Sequence, residues 1–242
     1  MQDKSVFQTH AGSMPALETS KVLRNTYLLL GMTLVTSAMC AGLAMAMNIG
    51  HGTGLVLMLL GFVMLFVVNK TADSSKGIVA IFVFTGLLGA ALGPMLKAYL
   101  ALPNGGELVM QALGGTALVF FGLSAYVLTT RKDFSFLGGF LMIGLLVIVV
   151  ASIANLFFQV PAASLAISAA AVFIMSGLIL FDTSRIIHGG ETNYIRATVA
   201  LYLDIYNLFV HLLHLLGVFL YRNDLRVSLI ALCLHRLLYL RF

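Results

Sequence analysis

Charge is what this chain has least of. Asp, Glu, Lys and Arg make up 10% of its 242 residues, against about 25% in an ordinary soluble domain. In their place 60% of the residues are hydrophobic, and the mean hydropathy is +1.03. A water-soluble domain of this length cannot bury so much apolar surface, so the composition excludes one and points to the bilayer. Cysteine is scarce too: Cys40 lies in an apolar run and Cys233 near the C-terminus, which gives no disulfide framework and no indication of redox compartment. The sequence also lacks low-complexity tracts, a clear internal repeat and a linker long enough to set off a second domain.

Catalytic signatures are missing as well. A rhomboid-type serine protease needs its nucleophile in a Gly-x-Ser-Gly context, and Ser124 and Ser176 have neighbouring glycines without fitting it. A two-aspartate intramembrane protease needs a glycine before its second acid, whereas Asp204 follows Leu203. Gly50-His-Gly-Thr-Gly54 lacks the lysine that a phosphate-cradling loop requires. These gaps argue against an enzyme and imply no cofactor. The net charge of +5 does not imply nucleic acid either, because the basic residues stand at the ends of apolar runs and not in a stripe with interleaved aromatics.

What is present is a series of apolar runs separated by short polar breaks: Tyr27 to Met47, Thr53 to Val68, Gly77 to Leu96, Leu108 to Thr130, Phe136 to Gln159, Ala163 to Ile187 and Ala197 to Tyr221. A spanning helix needs about 20 mostly apolar residues, so the expectation is an all-α membrane protein with seven transmembrane helices. Ala44-Met45-Ala46 resembles a cleavage site, but the first run is too long for a signal core and follows a long polar stretch, so it reads as a retained helix.

The organisation expected is an N-terminal tail over 1–26, a seven-helix domain over 27–221 and an atypical tail over 222–242. Within that tail Val227 to Phe242 is short for a span and reads as an interfacial helix or an altered terminus.

Lys4, Lys21, Arg24, Lys70, Lys76, Arg131, Lys132, Arg185 and Arg196 fall on one side of this topology, and among the loops between helices only Lys97 falls on the other. The positive-inside rule then places the N-terminus in the cytoplasm. An odd helix count leaves Arg222, Arg226, Arg236 and Arg241 on the outside, against that rule. Gly86, Gly89 and Gly93, and then Gly114, Gly115, Gly138, Gly139 and Gly144, let helices approach closely in lipid; packing within the bundle is the reading preferred over a dimer face. Pro94 is expected to end or kink the third helix.

Two acids interrupt the apolar pattern. Asp182 and Asp204 lie inside the last two runs, where each costs about 2.5–3.5 kcal/mol at a membrane helix centre, which makes them functional-site candidates. They lie at equal distance on either side of the turn Gly189-Gly190-Glu191-Thr192-Asn193, so an antiparallel hairpin brings them to similar depth. Asp204, Asn207, His211 and His214 recur at spacings that form one narrow stripe, expected to face the bundle interior. Two histidines three apart are a weak metal signal; hydrogen bonding within the bundle is the plainer reading.

The stretch from Ile179-Leu-Phe-Asp182 through Ile195-Arg196, followed by Leu201-Tyr-Leu-Asp204-Ile-Tyr-Asn207, resembles the signature of the transmembrane Bax inhibitor motif (Bax inhibitor-1) family. Lys21 to Tyr27, Gly114 to Phe121 and Ser124 to Asp133 add to the likeness, which runs from about Lys21 to Gly217 and is closest to a bacterial branch that includes a modulator of the membrane protease FtsH. The resemblance implies a seven-helix bundle with a central helix, in a bacterial inner membrane. It also implies an aspartate pair, here Asp182 and Asp204, that shares a proton, responds to pH and in some members gates a calcium-permeable path, with calcium passing near the two acids. Lys70, Lys97 and Arg185 are the candidates for a cationic partner. His211 and His214 depart from the small or amide side chains expected of the family. Two functions stay open: restraint of FtsH, with the N-terminal tail as docking segment, or a pH-gated cation leak.

Overall fold

The polar breaks between the apolar runs are where the chain reverses. A computed structural model describes the backbone of residues 16–239 and the side chains of 18–219. Seven helices follow one another: α1 (Ala16–Ala46), α2 (His51–Thr71), α3 (Lys76–Leu100), α4 (Gly105–Thr130), α5 (Gly138–Phe158), α6 (Pro161–Ile187) and α7 (Tyr194–Tyr239). All seven contain a segment long and apolar enough to cross a membrane, and no strand occurs among the described residues. The expected all-α bundle of seven spanning helices is the architecture found.

Local chemistry sets the ends. α4 stops where Arg131 takes a left-handed φ of 50° and donates its N–H to Val127 O at 2.8 Å. α5 stops in the same way at Gln159, and Pro161 opens α6 in the first-turn position that suits its missing N–H. In the connection between α4 and α5, Asp133 accepts the Ser135 N–H at 2.8 Å, and bonds from Ser135 hold its carboxyl below the usual carboxylate range.

Three boundaries differ from the sequence expectation. α1 starts at Ala16, inside the stretch read as a polar tail, because Val22 and Leu23 already pack on the core. α3 continues past Pro94 to Leu100; the proline is buried within it, close to Gly54 of α2. α7 remains helical through Tyr239, so the backbone of 222–239 continues the last helix. The interfacial placement expected of that tail concerns side chains outside the described residues, as do the docking tail before Ala16 and residues 240–242.

α7 is the hub, touching α1, α2, α3, α4 and α6. Tyr202, Leu201, Leu208 and Leu213 on it are almost completely enclosed. α5 lies at the edge, and among the described residues it touches only α6 of the other helices. Glycines set the closest approaches: a methyl on Gly89 would collide with the Ser37 carbonyl, and one on Gly93 would come within 2.6 Å of Ala44 Cβ, so α1 and α3 meet backbone to backbone. Gly144 and Gly177 instead make room between α5 and α6 for the side chains of Ile174 and Leu141. Gly114 and Gly139, by contrast, face open space. Among the described residues α1 and α4 meet through the Tyr27 and Phe120 rings, whose centroids are 5.9 Å apart, and the gap between the two helices beyond that contact is backed by α3 and α7.

Candidate functional site: an aspartate pair between α6 and α7

The hairpin that presents the two acids is built by its turn. Gly189 takes a φ of 75°, which glycine adopts without cost, and the N–H groups of Gly190 and Glu191 return to Arg185 O at 2.8 and 3.2 Å. Asn193 then starts α7: its Oδ1 accepts the N–H groups of Ile195 (2.8 Å) and Arg196 (3.2 Å), while its Nδ2 donates to Ala72 O (2.9 Å) and Asp73 Oδ1 (2.8 Å). One side chain thus caps α7 and ties it to the turn between α2 and α3. The Asx residue just ahead of a helix is a signal the sequence carried; its hold on a turn 120 residues away was not legible there.

Asp182 sits near the end of α6 and Asp204 almost three turns into α7. α6 and α7 pack together, and the two acids lie close enough across that interface for each to bear on the other's charge. Asp204 is 5% exposed, and its Oδ2 is fully enclosed with no hydrogen-bond donor. Ionised carboxylates only accept hydrogen bonds, so an ionised Asp204 would leave that oxygen enclosed without a donor.

Asp182 is mostly enclosed, with 13% of its side chain exposed, and has a cation beside it. Arg185 Nη1 stands 3.5 Å from Asp182 Oδ1, with the same guanidinium 3.7 Å from Glu191 and over the Phe181 ring. The other two cations considered are elsewhere: Lys70 is exposed in the last turn of α2, and Lys97, near the opposite end of the bundle, donates to Asn48 Oδ1.

The rest of the α7 stripe faces α6 only in part. Asn207 returns its Nδ2 to its own helix, at Leu203 O (2.8 Å). His211 Nδ1 lies 3.2 Å from Ser168 Oγ, and His214 bridges Ser164 Oγ (2.8 Å) and Tyr99 OH (3.4 Å). These rings line a separate cavity of about 280 Å³ toward the Lys97 end, with Ser152 and Asn155. No group of three or more His, Cys, Asp or Glu side chains placed to hold a metal occurs among the described residues.

Tyr202 was not singled out by sequence. Its hydroxyl is 2.7 Å from Ser37 Oγ and 3.3 Å from Thr85 O, so it fastens α7 to α1 and α3 half a turn from Asp204.

Residues 19–220 match the family described as "Inhibitor of apoptosis-promoting Bax1". The chain belongs to the Bax inhibitor-1 family. Within it, the chain is 55% identical over 202 residues to the Escherichia coli K12 protein named "Modulator of FtsH protease YccA", covering 83% of this chain and 91% of that one. An uncharacterized membrane protein of Vibrio cholerae is 54% identical over 203 residues, 84% of this chain and 91% of its own. A Pseudomonas aeruginosa protein without assigned function is 47% identical over 218 residues, 90% and 98% of the two chains. A homologous E. coli protein is named an inner membrane protein, and with seven apolar helices this Bax inhibitor-1 member is a multi-pass protein of that membrane.

Proposed function

We propose that this protein binds the membrane protease FtsH and restrains its action on membrane substrates, as a regulator and not as a catalyst. The observation that carries the reading is the 55% identity over 91% of the E. coli modulator of FtsH. The Lys and Arg distribution supports an N-terminus in the cytoplasm: Lys21, Arg24, Lys70, Lys76, Arg131, Lys132, Arg185 and Arg196 gather at the end where the α6–α7 turn lies. The test is co-purification of FtsH with the tagged protein from inner membranes, paired with the half-life of an FtsH membrane substrate. Recovery of FtsH and a longer half-life on overproduction are expected; neither effect from a well-expressed protein overturns the reading.

A second reading rests on the enclosed, partnerless Oδ2 of Asp204. Asp182 and Asp204 share one proton, and its loss forces two like charges apart, which biases how α6 and α7 pack. This makes the pair a pH-sensitive element of the bundle, compatible with either protease modulation or a cation path. Liposomes carrying the protein distinguish the two: calcium entry that rises with pH change and vanishes in Asp204→Asn favours a path, and its absence leaves the pair as a conformational element alone.

A further inference from the structure

The gap between α1 and α4 opens into a cavity of about 360 Å³ whose wall is almost wholly apolar, formed by Ala38, Ala41, Leu92, Leu113, Ala117 and Phe120 among others. The hydroxyls that reach it are already engaged. Ser37 and Tyr202 bond to each other at 2.7 Å, Tyr206 OH donates to Leu88 O at 3.5 Å, and Thr116 donates to Ala112 O at 2.7 Å. A buried water needs two to four polar partners, so the occupant that fits here is apolar.

The slot lies between two spanning helices and is open along one side, so the apolar material that meets it in the membrane is the hydrocarbon of the bilayer itself. The lining runs from Leu34 to Met45 on α1 and from Val109 to Phe121 on α4, about 16 and 18 Å at 1.5 Å per residue. That is the depth of one leaflet, half of the roughly 30 Å hydrocarbon core. At the shallow end, next to the lining residues Leu96 and Met45, the exposed Lys97 ammonium donates to Asn48 Oδ1. A cation at the membrane surface, above a slot one leaflet deep, is complementary to a phospholipid.

We propose that this slot is a phospholipid-binding site, with one acyl chain lying between α1 and α4 and the lipid phosphate on Lys97. The site is separate from the aspartate pair and independent of the FtsH reading. It also has a route to the hub of the bundle, because Tyr202, Ile205 and Tyr206, which line it, flank Asp204 on α7.

The experiment is native mass spectrometry of the full-length protein, delipidated in detergent and titrated with dioleoyl phosphatidylglycerol, with dioleoylglycerol as the phosphate-free comparison. One tightly held phosphatidylglycerol per chain is expected. Ala38→Phe and Ala117→Phe, which fill the slot, each abolish that adduct while the melting temperature reports a folded protein. Lys97→Gln weakens phosphatidylglycerol binding about fivefold and leaves dioleoylglycerol binding unchanged. Equal retention in folded Ala38→Phe and Ala117→Phe overturns the proposal. A measurement on the unmodified protein guards against misfolded variants: phosphatidylglycerol with a photoreactive group on its acyl chain should label Ala38, Leu113 or Ala117. Labelling spread evenly over exposed α5 residues such as Phe157, or a crosslink from the slot to another polypeptide, counts equally against it.

Discussion

Replacing Asp204 by Asn separates two things its carboxyl can do, accept or give a hydrogen bond and carry a charge. An amide is close to isosteric, stays neutral at every pH and still has a donor for Asp182, so Asp204→Asn should insert and fold like the unmodified protein. What it should lose is any pH-dependent change in packing between α6 and α7, read as cysteine accessibility or proteolysis near the α6–α7 turn across neutrality. Retention of the full pH response in Asp204→Asn would remove the shared proton from the account. Arg185 gives a contrasting case. It pairs with Asp182 from a side chain that is 36% exposed, so Arg185→Gln should shift the pH at which the response occurs without abolishing it.

At the scale of helices and turns, Asn193 has an outsized reach. Losing its cap alone costs about 0.5–2 kcal/mol, and Asn193→Ala also strands the bonds to Ala72 and Asp73. A clear drop in melting temperature is therefore expected. Asn193→Asp should not rescue it, since it restores the cap but sets a carboxylate against that of Asp73 at the 2.8 Å contact. A paired glycine test separates packing from helix propensity. Gly89→Ala drives a methyl into the Ser37 carbonyl and should loosen α1 from α3, whereas Gly114→Ala meets nothing within 4 Å and should be neutral or stabilising by up to about 1 kcal/mol. Melting temperatures in one detergent decide both.

The number of helices could be read from the sequence because it depends on run length, and the shared side of His211 and His214 in the α7 stripe, which both meet α6 serines, follows from that helix's own periodicity. Which side chains stand opposite that stripe could not. The Ser37–Tyr202 bond joins residues 165 apart, and no local pattern marks Ser164 or Ser168 as the partners of His214 and His211. Helix ends were also misjudged at α1 and α3, since hydropathy marks where a helix meets lipid, while capping and packing decide where it begins and stops.

For the whole molecule, orientation is the open quantity a reporter can fix. A reporter fused after Arg131 should read as cytoplasmic and one after Asn104 as external; the reverse pattern would turn the molecule over and with it any contact to cytoplasmic parts of FtsH. Removing residues 1–15 leaves every described helix intact, so the truncated protein should insert and melt normally yet recover less FtsH. Undiminished recovery would move the contact from the tail to the bundle.

The hub position of α7 has a bearing on how the protein is made. Of the seven spans it has the lowest mean hydropathy, 1.6, while peripheral α5 has the highest, 2.7. α5 can therefore partition into lipid from the insertion machinery alone. α7, synthesised after the other six, enters with an aspartate and two histidines whose partners belong to helices already in place. Its insertion is in effect the closing step of assembly, and a chain halted before it would leave α6 in the bilayer with Arg185 of the same helix as the charged partner of Asp182.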